Sequence, residues 1–146
     1  MPPLHSNQAF HLAFPVDDLE EARRFYAGIL GCKVGREDPG KWIDFDFGGH
    51  QISAHFRPEE CARALGNVVD GDTVPTRHFG LILDWNHWHE LARHLETEQQ
   101  EFLIAPKTRF VGEAGEQATF FLLDPAGNAL EFKSFKDPNR IFAHDA

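Results

Sequence analysis

His11-Leu12-Ala13-Phe14-Pro15-Val16-Asp17-Asp18-Leu19 and His78-Phe79-Gly80-Leu81-Ile82-Leu83-Asp84-Trp85 open two similar stretches of this 146-residue chain. In each, a histidine starts an alternating run, and an aspartate follows it by six residues. Alternation of apolar and polar side chains is the pattern of a strand with two unlike faces. Phe10, Leu12, Phe14 and Val16 fall on one face, with His11, Ala13 and Pro15 on the other. In the second stretch Phe79, Leu81 and Leu83 share a face, and His78 lies with Gly80 and Ile82.

The residues that follow extend the repeat. Asp17 and Asp18 offer a helix N-cap, and Asp18 with Glu21 has capping-box-like spacing. Leu19, Ala22, Phe25, Tyr26, Ile29 and Leu30 then form an apolar helical face that stops at Gly31. Strands are expected over about 33–36, 42–47 and 51–56, with Gly48-Gly49 as a turn. After a second strand over 77–83, a helix carries Trp85, Trp88, Leu91, Ala92 and Leu95 on one face. Strands follow near 102–106, 118–123 and 128–135, the last two joined by Asp124-Pro125-Ala126-Gly127-Asn128, strong turn chemistry.

Strand, helix and three strands, stated twice, predict an α+β fold. The expectation is a single domain of two βαβββ modules, whose curved mixed sheets surround a metal-binding cleft with helices outside. Module one covers about 9–56, a linker 57–77, module two about 78–135 and a C-terminal tail 136–146. The linker holds Pro58, Gly66, Asp70, Gly71, Asp72 and Pro75. It reads as a connection with one helical turn over 59–65, or as a flap over a cavity.

Strand alternation also gathers the chemistry. Opposite the apolar faces lie His11 and Ala13; Gln51, Ser53 and His55; His78 and Gly80; and Ala129, Glu131 and Lys133. Two imidazoles and a carboxylate with open positions are the set used for non-haem iron(II), and it also suits Mn, Ni, Co or Zn. His87, His89 and His94 on the second helix miss the spacing of a helical zinc site and read as a solvated face. Lys107 and Arg109 are surface cations that could meet an anionic substrate.

Composition narrows the function classes. A net charge of -9 disfavours nucleic-acid partners. No apolar run is long enough to span a bilayer, and the N-terminal residues lack a secretory pattern. Two cysteines make no disulfide framework, so a cytoplasmic location is expected.

The chain resembles the vicinal oxygen chelate superfamily over about residues 9–135, a group that includes glyoxalase I, bleomycin-resistance proteins and extradiol dioxygenases. The resemblance rests on His11-Leu12-Ala13-Phe14 before the aspartate cap, Phe25-Tyr26, Leu30-Gly31, His78, and Asp124 through Phe132. Among its members the chain is most similar to small extradiol-dioxygenase-like proteins. The resemblance implies one divalent metal ion, iron(II) favoured, on His11, His78 and Glu131, with a small-molecule substrate and a homodimeric assembly. It makes His55 the candidate acid/base residue, with ligation or a bystander role as alternatives, because turn alignment sets Ser53, not His55, opposite Glu131. Extradiol members carry a tyrosine ten residues before the ligand glutamate; this chain has Phe121. A glyoxalase- or epimerase-type lyase or isomerase is the alternative, and a non-catalytic drug-binding protein the third reading.

Overall fold

The computed structural model describes residues 3–63, 65–69 and 71–144; Met1, Pro2, Ala64, Asp70, Asp145 and Ala146 lie outside the described residues. The chain divides into two compact units, Met1–Ala62 and Arg63–Ala146.

The first unit runs β1 (His11–Val16), α1 (Leu19–Arg23), β2 (Lys33–Asp38), β3 (Trp42–Phe47) and β4 (His50–Phe56). Its sheet has the order β1-β4-β3-β2. β1 lies parallel to β4, and the other pairs are antiparallel. Parallel neighbours need a crossover, which α1 begins. The Asp18 side chain caps α1 by accepting a hydrogen bond from the Glu21 amide, 3.0 Å. Over Arg24–Ile29 the helix widens into a π-turn, in which the Leu30 amide reaches the Phe25 carbonyl. Adjacent Phe25 and Tyr26 are both buried there, and Gly31 at φ +75° ends the segment. Tyr26 is fully enclosed and packs on Phe14, Phe25 and Phe45 at ring separations of 5.4, 4.9 and 5.2 Å.

The second unit adds β5 (Gly66–Val69) and β6 (Asp72–Pro75) before repeating the plan. β7 (Phe79–Ile82), α2 (Trp85–Thr97), β8 (Ile104–Arg109), β9 (Gln117–Leu123) and β10 (Ala129–Phe135) follow. The sheet order is β7-β10-β9-β8, with β7 parallel to β10. Asp84 caps α2 by accepting from the His87 amide, 2.8 Å. The Trp88 indole anchors α2 to the sheet by donating to the Phe132 carbonyl, 2.8 Å, beside a cluster of Phe102, Phe120 and Phe132. Asp124 locks the β9–β10 turn, accepting from the amides of Ala126 and Asn128 at 2.9 Å each. Among the described residues no helix is long and apolar enough to cross a membrane.

Both βαβββ units are therefore present, and several boundaries differ from expectation, among them β8, which runs Ile104–Arg109 and not about 102–106. The 57–77 segment is not a connection with one turn over 59–65. It holds a short helical turn at Pro58–Glu60 and then the β5–β6 hairpin, which pairs Asn67 with Val74 and Val68 with Thr73. β-Branched residues on both sides of Gly71 (φ +83°) explain the pairing. β7 is shorter than 77–83, and His78 precedes its first residue. β2 extends to Asp38 through a bulge between Val34 and Glu37. Phe10 lies outside β1 and is 62% exposed, its amide donating to His50 Nδ1 instead.

Gly80 is the position where backbone space is tightest around the repeat. It pairs with Glu131, and a Cβ there would stand 1.6 Å from the Glu131 carbonyl oxygen. Any side chain must push β7 away from β10. Gly80→Ala should cost about 1–3 kcal/mol of stability, the usual scale for overpacking. Urea unfolding with an unchanged midpoint would contradict this.

Candidate metal centre

Four of the residues singled out by sequence stand on the polar faces of the two sheets. In the second unit His78 and Glu131 meet: Nε2 of the imidazole lies 3.3 Å from Oε1 of the carboxylate. Each partner is fastened at its other end. His78 Nδ1 donates to the Pro75 carbonyl at 2.7 Å, which fixes the tautomer and turns Nε2 toward Glu131. Thr119 Oγ1 donates to Glu131 Oε2 at 2.5 Å, leaving Oε1 to face the imidazole. Phe121 packs edge-on against the His78 ring at 5.1 Å and is buried.

The first unit presents the equivalent face. His11 begins β1, is exposed, and pairs in register with Gln51. Ala13 pairs with Ser53 as Gly80 pairs with Glu131, so register makes Ser53 the counterpart of Glu131. His55 lies two residues further along β4, between Pro15 on β1 and Trp42 on β3. Asp44 on β3 was not foreseen. It stands opposite Ser53, is buried to 9% exposure, accepts a hydrogen bond from Ser53 Oγ, and accepts another from Gln51 Nε2 at 3.3 Å. Carrying the register one strand further would have found it, since Asp44 alternates with Ile43 and Phe45 on β3.

Two other expectations change. Lys107 is occupied by Asp72 at 2.7 Å, tying the β5–β6 hairpin to β8, and Arg109 lies over the Phe110 ring at 4.9 Å. His89 is not simply solvated: its Nδ1 donates to the Trp85 carbonyl, and its ring meets Trp88 at 4.8 Å.

In the His78–Glu131 pair each group favours the charged form of the other. The His78 imidazole is held above its ordinary value, chiefly by its hydrogen bond to Glu131, against burial. Burial pushes the Glu131 carboxyl up, but hydrogen bonds from His78 and Thr119 outweigh it and hold the carboxyl below the ordinary range. A divalent ion fits the same two atoms. Ligand bonds of about 2 Å at near-right angles set donor atoms about 3 Å apart, close to the 3.3 Å seen here. Among the described residues no three His, Cys, Asp or Glu side chains gather as a metal-holding group.

Comparison with known proteins agrees with the fold. Residues 8–132 match the family described as the Glyoxalase/Bleomycin resistance protein/Dioxygenase superfamily. The chain belongs to this superfamily. Among solved structures, a superfamily protein from Alicyclobacillus acidocaldarius is 36% identical, with a TM-score of 0.75, covering 93% of this chain and 97% of that one. A lactoylglutathione lyase from Agrobacterium tumefaciens shares the fold at 22% identity and a TM-score of 0.66, covering 92% and 97%. A glyoxalase/dioxygenase from Nostoc punctiforme does so at 18% identity and a TM-score of 0.66, covering 94% and 97%. No curated protein matches the chain.

The two shifts fix how this superfamily member responds to pH. The His78 contribution to stability is present below the ordinary imidazole range and is lost as pH rises through the raised value. The Glu131 contribution is present above the ordinary carboxylate range and is lost as pH falls through the lowered value. The metal-free pair thus stabilises most between those limits. Glu131→Gln should return His78 toward its ordinary value in an NMR titration; an unmoved midpoint would show that the pairing is absent in solution.

Proposed function

We propose that this superfamily member is a metal-dependent enzyme of extradiol-dioxygenase type acting on a small aromatic diol. One divalent ion, iron(II) in the first instance, would be held by His11, His78 and Glu131. The observation that carries this reading is the 3.3 Å pair of His78 and Glu131, each held from behind so that one donor atom points at the other. His11 joins them by its equivalent position at the start of the first repeat. When bound, the ion supplies Lewis acidity and, as iron(II), access to dioxygen chemistry.

The chain's own groups do the proton work. With Phe121 where extradiol members have tyrosine, no hydroxyl from that position shares it. His55, flanked by Trp42 and Pro15, takes a proton from the bound hydroxyl and returns one to the departing oxygen. Family resemblance also leads us to propose a homodimer.

A second reading, lyase or isomerase chemistry, is favoured by Asp44. A buried carboxylate on the polar face, oriented by Ser53 and Gln51, is the kind of group that moves a proton from carbon to carbon.

Anaerobically purified protein should hold about one divalent ion per chain, and Glu131→Ala should abolish tight binding because the anionic ligand is lost. Affinity should fall as pH drops, with the onset above the ordinary imidazole range, since the ion must displace the proton that Glu131 helps His78 keep. Metal content that survives loss of both His11 and His78 would refute the assignment.

Iron-loaded protein should consume oxygen with a member of a catechol panel. His55→Ala should slow that turnover by about 10²–10⁴-fold with iron retained. Isomerisation of a hemithioacetal without oxygen uptake, lost in Asp44→Asn, would replace the dioxygenase reading with the second one.

A further inference from the structure

The largest cavity described in the first unit, about 590 Å³, opens at the end of its sheet, where Pro15, His55 and Trp42 stand in one row across β1, β4 and β3. Phe56, 43% exposed although its neighbours Ile52 and Ala54 are buried, adds an apolar wall. The Arg36 guanidinium lies over the Trp42 ring, 5.8 Å from its centre, and steadies the indole. Lys41 and Arg57 stand at the rim.

The charges at the rim are unequal. Arg57 is engaged by Glu59 and by Glu60, the latter at 3.2 Å, so these cationic and anionic groups offset one another. Lys41 is 74% exposed, and its carboxylate neighbour Asp38 is 3.8 Å away. A loosely held ammonium therefore borders an apolar slot with an imidazole at its centre. The volume suits one ring and its substituents.

We propose that this cavity is a binding subsite for an aryl carboxylate. The ring lies against Trp42 and Pro15, and the carboxylate is held by Lys41 Nζ with His55 within reach of a ring substituent. Indole and proline faces favour flat apolar surface, and the lysine selects for negative over positive charge. This deepens the reading proposed above through His55 alone and rests on that reading for turnover only, because the cavity lies within the first unit and its lining includes none of the proposed metal ligands.

The test uses benzoate, benzyl alcohol and benzylamine as probes on the full chain, followed by NMR of the Trp42 indole N–H, with and without EDTA. Benzoate should give saturable shifts at millimolar concentration, unaffected by EDTA, and benzylamine should bind about tenfold more weakly or worse. Lys41→Gln, at an exposed turn, should weaken the charge preference while benzyl alcohol binding persists, the Arg36 guanidinium over Trp42 supplying what remains. Observed from the ligand side by saturation-transfer NMR, since these changes remove the indole, Trp42→Phe should keep ring binding, and Trp42→Ala should weaken it by about tenfold. No saturable shift with benzoate at about 10 mM would overturn the subsite. A charge preference unchanged in Lys41→Gln would overturn the carboxylate assignment. Metal content of the same samples reports separately on His11, His78 and Glu131, so a failed subsite and a failed metal reading give different results.

Discussion

The parallel pairing of the first strand with the last, made once in each unit, is the constraint from which the rest follows. Parallel neighbours cannot be joined by a tight turn, so a crossover must intervene, which this chain makes with a helix and two further strands. The crossover places the helix over one face of the sheet. The covered face must then be apolar, which accounts for Ile52 and Ala54 on β4 and for Leu130 and Phe132 on β10. Alternation leaves the opposite face to His11, Ser53 and His55 in one unit and to Glu131 in the other. The pairing is close enough at Gly80 to exclude any side chain, and this brings β7 directly beside the residue that supplies the carboxylate.

This explains what could be read from the chain and what could not. The two repeats and their faces follow from period-two alternation and from matching His11 to His78, whereas the grouping of His78 with Glu131 was an implication of the family resemblance. The β5–β6 hairpin was hidden because a turn between two short β-branched runs was read through its glycines and prolines alone. The π-turn after α1 keeps the apolar pattern of an ordinary helix, since Phe25 and Tyr26 are inward under either winding. The roles of Lys107 and Arg109 depended on neighbours distant in sequence: Asp72 is 35 residues from Lys107 and comes to it through the hairpin.

The polar supports were the least legible. Thr119 and the Pro75 carbonyl act on Glu131 and His78 without being ligand types themselves. Thr119 is a diagonal neighbour, because Glu131 pairs with Phe121 and Thr119 with Lys133. Only a known register reveals such a contact. The Pro75 carbonyl carries no side-chain signal at all, although its effect is large: it decides which imidazole nitrogen faces the carboxylate.

The repeats have diverged where it matters chemically. At matching positions on the last strand, one unit has Glu131 and the other Ser53. At matching positions on the neighbouring strand, one has Phe121 and the other Asp44. Each sheet thus keeps one carboxylate in this paired position, but on adjacent strands, a lateral displacement of about 5 Å. The polar neighbour differs as well: Glu131 is bound by a titratable imidazole, His78, whereas Asp44 accepts from the neutral Ser53 and Gln51. A carboxylate paired with an imidazole whose proton a metal can displace is suited to holding a cation. One buried among neutral donors, a strand away, is suited to exchanging a proton with a molecule on the same face. Two positions equal in register thus carry different side chains, Glu131 against Ser53 and Phe121 against Asp44, within one fold.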